Sequence, residues 1–530
     1  MADVDKLMQM LTEEPFFNGF VENVKELVCS YEVNVNDFEN SLTDSLKKSG
    51  LDTDLRNAIY HCIQRNPQLL NEEKDQNHTA SGDAREINKE PIQYLRKAQG
   101  QWERRLQKSL NSMCLEAHTA LSRKRNRDEI IEVEEKWNAL SMLEADLQHY
   151  RPVYSPRDFL EVVTNVKSPQ CDESFLDLIH GIIQIPLEIP SLSDIREEFK
   201  EIWASSAYLG VEPSLLDENG TLPISQYRSL LCEKVVSKNH APLSREFLKQ
   251  GCPNAMRSAL WCQIMGVTIT QSDRENFTKL KQAVIEYDLL VDKLIIKDVQ
   301  LTAANDDQYF VYEDILYQIL LCFFRDTSIL QHFCYSPASP FRAAIGSLMT
   351  SYSPAHEPNQ TDVAYPPCGV IPFHGFTMYA APLCYLYDDA VELFGMLRAL
   401  YVTYWFRLHV LTSHSDGILA LSAIFEQITR HYDPALWIHF QSHGIQPLRM
   451  VFKWLVRAFS GYLKPQELLH LWDLILSWSS LKLLPVLASA IVSIRRDNLM
   501  SVTTQQAAES VLADLSSIKV LPVLRFLLTR

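Results

Sequence analysis

The sequence predicts an all-α protein, with a multi-helical domain in the C-terminal half and a smaller helical region before it. The chain has 530 residues, of which only 16 are glycine. Sandwiches and doubly wound sheets need many tight turns, so the low glycine content favours helices. Apolar residues also recur every three to four positions, most strongly after residue 244. The length predicts two to four domains.

Short amphipathic helices are predicted in the N-terminal helical region, residues 1–70. Apolar side chains recur there every four residues in two series, Phe38, Leu42 and Leu46, then Leu55, Ile59 and Ile63. The first series stops at Gly50, a residue type typical of the position just past a helix end. Residues 71–90 hold no aromatic and almost no apolar side chain. We therefore predict that they form a flexible linker.

A further helical region of unknown role is predicted over residues 91–243. A basic helix opens it, and its apolar face comprises Leu95, Trp102, Leu106, Leu110 and Met113. The basic run Arg123–Arg127 follows, and the acidic run Asp128–Glu135 comes directly after it. The basic run could be a nuclear signal or a contact for acidic lipid headgroups. We favour a solvated helix whose charges the acidic neighbours balance.

The main domain is predicted over residues 244–500, with an insertion at about 326–370 where serine and proline clusters interrupt the helical pattern. Ser272 and Glu275 form a capping-box pattern before a predicted helix with Phe277, Leu280, Val284, Tyr287 and Val291 on one side. A second helix should follow Asp389. Thr503 and Gln506 suggest another cap, and we expect the C-terminal helices, residues 501–530, to pack on the main domain.

Several function classes are disfavoured by composition and motifs. The net charge of −16 would repel nucleic acid. The sequence contains no P-loop, no dinucleotide-binding glycine motif, no zinc-protease motif and no nucleophile elbow, so no metal site or cofactor is predicted. The histidines near apolar helices, His409 and His414, are expected to be packed rather than metal ligands. No signal peptide or membrane-spanning stretch is present, which predicts a cytoplasmic protein.

Four short segments carry a family resemblance. The first runs from Gly251 to Trp261 and places Arg257 and Trp261 four residues apart on one helical face. The others are His439–Pro447, Trp454 with the turn after it, and Leu471-Trp472-Asp473. In this order and spacing they resemble the TBC domain, a helical module that activates Rab-type small GTPases.

The resemblance implies a regulator of Rab GTPases that acts in membrane traffic. It needs no cofactor of its own, because GTP and magnesium would belong to the Rab partner. The resemblance also implies that the aromatic and ionic residues of these segments hold helices together, namely Arg257, Trp261, Trp454, Trp472 and Asp473. Direct contact with a membrane surface and the oligomeric state are left open.

TBC domains are understood to use an arginine in I-x-x-D-x-x-R and a glutamine in Y-x-Q-G. A guanidinium stabilises charge on the transferring phosphoryl group, and a carboxamide orients the attacking water. In this chain Ile295 and Asp298 fit the first pattern, but Leu301 occupies the arginine position. In the second, Gly375 fits, whereas His374 replaces the glutamine and Pro372 the tyrosine. We call Leu301 and His374 the predicted finger positions, and neither carries its catalytic residue.

Three hypotheses follow for function. The first is a Rab-binding TBC protein with weak or no catalytic acceleration. The second is an active GTPase-activating protein that uses non-standard residues, for which Lys297, one turn before Leu301, and Arg342 in the insertion are candidates. The third is a helical adaptor whose binding is done by residues 1–240. We expect Asp298 to act as a cap or ion-pair partner near the Rab groove rather than as a base. Gly375 is the other motif residue assigned to that groove.

Overall fold

The computed structural model describes residues 4–30, 35–65, 89–143, 147–166, 183, 185, 187–203, 224–305, 308–334 and 366–529. The predicted linker therefore lies outside the described residues except for its last two, which begin a helix. Most of the predicted insertion, including Arg342, also lies outside them. None of the described helices is both long and apolar enough to cross a membrane.

The prediction of an all-α fold is confirmed, because helices dominate the described chain. In the described part of the chain, one two-stranded antiparallel sheet joins Ser122–Lys124 to Tyr287–Leu289, and Arg123 lies opposite Asp288. The chain divides into two compact units, each made of separate stretches of the sequence, and one of the boundaries falls within the helix Pro465–Trp478, after Trp472.

The first unit comprises residues 1–84, 205–268 and 473–479. Its α-helices are Val4–Leu11, Phe17–Ser30, Val35–Ser49, Leu51–Arg65, Ile224–Ser237, Ala241–Lys249 and Arg257–Met265. A 3-10 turn, Asn254–Met256, leads into the last of these. Leu11, Ala58 and Cys62 form a small apolar core in its N-terminal part. Both predicted N-terminal helices are present, and Gly50 has the positive φ of 82° expected past a helix end.

The second unit comprises residues 85–204, 269–472 and 480–530. Before the predicted insertion its α-helices are Lys89–Glu116, Arg127–Glu135, Pro156–Asn165, Leu192–Glu198, Lys200–Trp203, Gln271–Glu286, Leu290–Asn305, Glu313–Phe323 and Ser328–Cys334. After it they are Ala390–Thr403, Ile418–Tyr432, Pro434–Ser442, Pro447–Val456, Leu483–Ile494, Arg496–Met500, Gln505–Val511 and Val520–Leu528. Short 3-10 helices are Leu140–Met142, Phe310–Tyr312, Phe376–Tyr379, Ala381–Tyr385 and Trp405–Leu408.

The apolar faces read from the sequence lie in the core of this unit. All five residues predicted on the apolar face of the helix Lys89–Glu116 are buried. Leu393, Leu397 and Leu400 are buried in the helix after Asp389, whose side chain caps it. The last helix, Val520–Leu528, packs on Leu483–Ile494. Burial of such faces is the main stabilising contribution to a helical core.

Three local predictions are wrong. Thr270 and Asp273, not Ser272 and Glu275, form the capping box, so that helix begins at Gln271. It ends at Glu286, and Tyr287 lies in a strand with its side chain exposed. The cap predicted at Thr503 is formed by Thr504. At both caps a neighbouring hydroxyl or carboxylate with equivalent chemistry takes the position.

The prediction of a solvated helix for the basic run Arg123–Arg127 is also wrong. Arg123 and Lys124 lie in a strand, and the next helix begins at Arg127. The charge of the basic run is nevertheless balanced by carboxylates. Arg123 contacts Glu129 at 2.9 Å and Asp288 at 3.0 Å, and Arg125 contacts Asp288 at 3.3 Å. The balancing charge therefore comes partly from the following acidic run and partly from the paired strand.

Candidate functional site

We call the two patterns that contain Leu301 and His374 the first and the second finger motif. The first lies on the helix Leu290–Asn305, which we call the Asp298 helix. Near its start, Asp292 accepts two hydrogen bonds from the buried guanidinium of Arg325, at 2.8 and 2.7 Å. This bidentate ion pair fixes the helix in the core of its unit. Lys297 and Leu301 follow on one face, as the helical spacing predicts.

Asp298 connects the two finger motifs. Its buried carboxylate accepts hydrogen bonds from the backbone amide of Gly375 at 2.6 Å, the amide of Thr377 at 2.9 Å and the Thr377 hydroxyl at 2.7 Å. Gly375 is the N-cap residue of the 3-10 helix Phe376–Tyr379. Asp298 therefore caps a neighbouring helix rather than its own, and it fixes the loop that carries His374.

Gly375 is required by the backbone and by a neighbouring cation. Its φ is 95°, a left-handed value that side chains with a Cβ rarely adopt. An added Cβ would lie 2.2 Å from the guanidinium of Arg457, which donates to the His374 carbonyl at 2.7 Å. The loop is thus held on one side by Asp298 and on the other by Arg457.

The predicted finger positions line one surface pocket. Its lining includes Leu301, Lys297 and Asp298 from the Asp298 helix and Pro372, Phe373 and His374 from the second motif. Its remaining lining residues are Leu294, Arg151, Pro152 and Val153. The pocket volume of about 20 Å³ is enough for roughly one water molecule. A nucleotide could not occupy it, so any contact with one would be made by side chains that project from its rim.

His374 is partly exposed at this rim. Its side chain is 41% exposed, and its Nδ1 lies 3.5 Å from the Asp298 carboxylate. That separation is too long for a good hydrogen bond. The imidazole is therefore not held tightly by the carboxylate beside it.

Lys297 already has acceptors within its own unit. Its ammonium donates to the carbonyl of Leu147 at 3.2 Å and also to the carbonyl of Tyr150. Residues 147–154, which we call the Arg151 segment, are also bound to the second motif, because the His374 amide donates to the Tyr154 carbonyl at 2.9 Å. The rings of Tyr154 and Phe373 lie 6.0 Å apart. Both finger motifs therefore hold this segment.

The first family segment forms a buried cluster in the other unit. The Arg257 Nε contacts both carboxylate oxygens of Asp473, at 3.2 and 3.1 Å, and Trp261 donates to the same carboxylate at 2.7 Å. Burial raises the pKa of Asp473 to about 6, against the lowering effect of Arg257 and of the Trp261 hydrogen bond. The contacts with Arg257 and Trp261 pair this buried carboxylate with a cation and a hydrogen-bond donor. The cluster joins residues more than 200 positions apart in the sequence.

The two remaining tryptophans named from sequence are both buried. Trp454 packs on Phe459, with ring centroids 5.7 Å apart. Trp472 donates to the Ala458 carbonyl at 3.1 Å and packs on Trp405. These contacts connect the helix Pro447–Val456 and the turn after it to the helix Pro465–Trp478, as a structural role requires.

Sequence reasoning missed Arg151, Thr377 and Arg457. No motif or periodicity marks them, and their contacts depend on residues far along the chain. His409 is buried and bonded to the Tyr401 hydroxyl at 2.8 Å, in keeping with a packed role. Among the described residues, no group of three or more His, Cys, Asp or Glu side chains is arranged to hold a metal ion.

Comparison with known proteins places these features in a family. The model of the Rab-GTPase-TBC domain matches residues 373–500, which include His374 and Gly375 but not the Asp298 helix. Human TBC1 domain family member 19 is 43% identical over 507 residues, covering 94% of this chain and 92% of that protein. The crystal structure of the Ypt/Rab-GAP domain of Gyp1p is 14% identical, covers 57% of this chain and 95% of its own, and has a TM-score of 0.38. The identity to the human protein over nearly the whole of both chains shows that this chain belongs to the RabGAP-TBC family.

Proposed function

We propose that this chain binds a Rab-type small GTPase and accelerates GTP hydrolysis weakly or not at all. The observation that carries the proposal is the meeting of Leu301 and His374, from separate motifs, at one pocket on a rigidly bonded framework. Such a framework suits a docking surface, because ordered backbone loses little freedom on binding. Its side chains at these two positions are not suited to catalysis.

The chemistry explains why acceleration should be weak. An arginine finger contributes roughly 10³–10⁵ in rate, or about 4–7 kcal/mol of barrier. Leu301 has no charge and cannot stabilise the transferring phosphoryl group. A neutral imidazole at His374 has one donor and one acceptor on opposite sides of a ring, which does not reproduce the geometry of a primary amide. GTP and magnesium would be held by the GTPase, and the regulation would serve membrane traffic in the cytoplasm.

A specific observation favours an active GTPase-activating protein as the second candidate. Arg151 lines the same pocket as Leu301 although it comes from another part of the chain. Lys297, considered from sequence as a substitute, has its ammonium bonded to two carbonyls and would have to leave both. Arg342 lies outside the described residues.

The test is a panel of Rab GTPases, each loaded with GTP, assayed for binding to the full-length chain and for single-turnover hydrolysis. Binding of at least one Rab with acceleration below about 10²-fold is expected. Larger acceleration would replace this proposal with the active enzyme. Binding to none of the panel would favour a helical adaptor.

The double substitution Leu301→Arg with His374→Gln tests the reasoning about the predicted finger positions. Both side chains lie at the pocket, so we expect the double variant to gain measurable hydrolysis activity towards any Rab that binds. Each single substitution is the control, and we expect each to gain less. A double variant that binds as the natural chain does but gains nothing would contradict the assignment of these positions.

A further inference from the structure

The lining of the pocket between the two finger motifs includes a basic residue that neither motif supplies. Arg151 lies in its lining with Leu301 and His374, and its side chain is 49% exposed. The other basic side chain in the lining, Lys297, is part-buried and donates to two backbone carbonyls. Among these lining residues, Arg151 is therefore the cation best placed to meet an incoming anion.

The present contacts of Arg151 are easily exchanged. Its Nη1 donates to the Ser109 hydroxyl at 3.1 Å, and its Nε lies 3.8 Å from a carboxylate oxygen of Glu116, which is itself half exposed. Exposed ion pairs of this length contribute little, because water screens them and two long side chains must be ordered. A phosphate could replace both partners with two parallel hydrogen bonds to the planar guanidinium.

The backbone that carries Arg151 is held in place by the finger motifs themselves. The Lys297 ammonium bonds to two carbonyls of the Arg151 segment, and the His374 amide bonds to a third, that of Tyr154. Because of these bonds, a partner that docks over Leu301 and His374 meets Arg151 at the same surface. Lys297 is then a positioning residue that acts through Arg151.

The neighbouring groups favour an anion there. Leu301, Phe373 and Val153 contribute apolar side chains to the lining, and none of them carries a negative charge that would repel a phosphate. The one carboxylate in the lining, Asp298, is occupied by Gly375 and Thr377. Its charge is therefore largely compensated by hydrogen-bond donors.

We propose that Arg151 contacts the terminal phosphate of GTP in the bound GTPase, so that the complex prefers the GTP-loaded partner over the GDP-loaded one. This inference rests on the Rab binding in the proposed function, and it adds how the nucleotide state of the partner is recognised. A contact that is equally strong with bound GTP and with the transition state tightens binding without accelerating hydrolysis, so it is compatible with weak acceleration. The terminal phosphate is the group that distinguishes the two states, and guanidinium is the side chain best matched to it.

The test measures the affinity of the full-length chain for a binding Rab loaded with a non-hydrolysable GTP analogue and with GDP. The natural chain should bind the GTP form at least tenfold more tightly. Arg151→Ala should reduce this preference about tenfold, as expected for loss of a charge-assisted contact. Arg151→Lys should be intermediate, because it keeps the charge but not the fork of donors. Since Arg151 is exposed, an unchanged melting temperature should accompany both variants.

Arg157→Ala is the matched control. It removes the same charge six residues later, from an exposed position outside the pocket lining, and should keep the preference within twofold. In a double-mutant cycle, Lys297→Met should lose preference alone but add nothing to Arg151→Ala. A purely structural role for Lys297 would instead give additive losses in overall affinity for both nucleotide forms.

The possible outcomes distinguish the role of Arg151 from the proposed binding of a Rab. A natural chain that prefers the GTP form while Arg151→Ala retains that preference would overturn the role of Arg151 and leave Rab binding intact. Equal affinity of the natural chain for the GTP-loaded and the GDP-loaded Rab would also overturn the role of Arg151 and leave Rab binding intact. A natural chain that binds no Rab in either state would overturn both the proposed function and the role of Arg151.

Discussion

The bond network of Asp298 makes a quantitative prediction about the loop that carries His374. The carboxylate accepts three hydrogen bonds, one on Oδ1 from Gly375 and two on Oδ2 from Thr377. Hydrogen bonds to a charged group contribute about 1.5–3 kcal/mol each. Asp298→Asn keeps one oxygen, which can retain the two Thr377 bonds in weaker, neutral form. The bond from Gly375 is lost, and an amide N–H₂ then faces its N–H.

We therefore expect Asp298→Asn to lower the free energy of local opening of this loop by about 2–4 kcal/mol. At about 1.4 kcal/mol per tenfold, amide hydrogen exchange in residues 373–379 should become roughly 30- to 1000-fold faster. Hydrogen exchange followed by mass spectrometry on a peptide that covers these residues measures this directly. Binding of a Rab at the same surface should weaken in parallel.

Asp292→Asn on the same helix is the matched control. Asp292 accepts from the Leu289 amide at 3.0 Å and from both terminal nitrogens of Arg325. Breaking this buried ion pair costs about 3–5 kcal/mol, so the control should be at least as destabilised overall. Its contacts do not involve the second motif, and the 373–379 peptide should stay protected. The reasoning fails if that peptide exchanges equally in the natural chain and in Asp298→Asn, or if Asp292→Asn exposes it to the same extent.

Three further predictions concern other parts of the chain. Asp473→Asn should lower the free energy of unfolding by about 3–5 kcal/mol in urea titration, because it leaves the Arg257 guanidinium buried without a counter-charge; stability like that of the natural chain would contradict this. Burial lowers the pKa of His409 to about 3, so stability should fall by about 1.4 kcal/mol per pH unit below 6.5, and His409→Gln should remove about 2 kcal/mol of the loss between pH 7 and pH 5. The same dependence of the free energy of unfolding on pH in the natural chain and in His409→Gln would refute that prediction. Gly375→Ala should cost about 2 kcal/mol, seen as a lower melting temperature, because of its positive φ and the clash with Arg457; an unchanged melting temperature would refute it.

The helical faces were predictable because their periodicity is a local property of the sequence. Leu106, Leu110 and Met113 are spaced four and three residues apart, which places them on one face of a helix. Packing of that face against the core therefore buries all three side chains. The cap at Thr270 was missed for an equally local reason. Several hydroxyl and carboxylate side chains occur in a row there, and spacing alone does not select one of the alternative boxes.

The two short strands could not be predicted in the same way. Three residues are too few for a period-two pattern, and both strands are polar or exposed over much of their length. Their pairing is stabilised instead by Arg123 and Arg125 around Asp288, which is about 165 positions away in the sequence. Such a contact depends on the tertiary fold, whereas the sequence around the basic run predicts a solvated helix.

The residues of the candidate site also fall into two groups, those that a local motif identifies and those that only the tertiary fold brings to the site. The residue types of the two motifs identify Leu301 and His374, because each motif is read within a few consecutive positions. The partner of Lys297 depends on which distant segment the fold brings against the Asp298 helix, and that segment has neither motif nor periodicity. Its identity changes the chemistry of the site. Lys297, the nearest basic residue in sequence, bonds to backbone carbonyls, whereas Arg151, about 150 positions earlier, lines the pocket with a half-exposed side chain. Loss of charge at a motif position therefore does not establish loss of charge at the site.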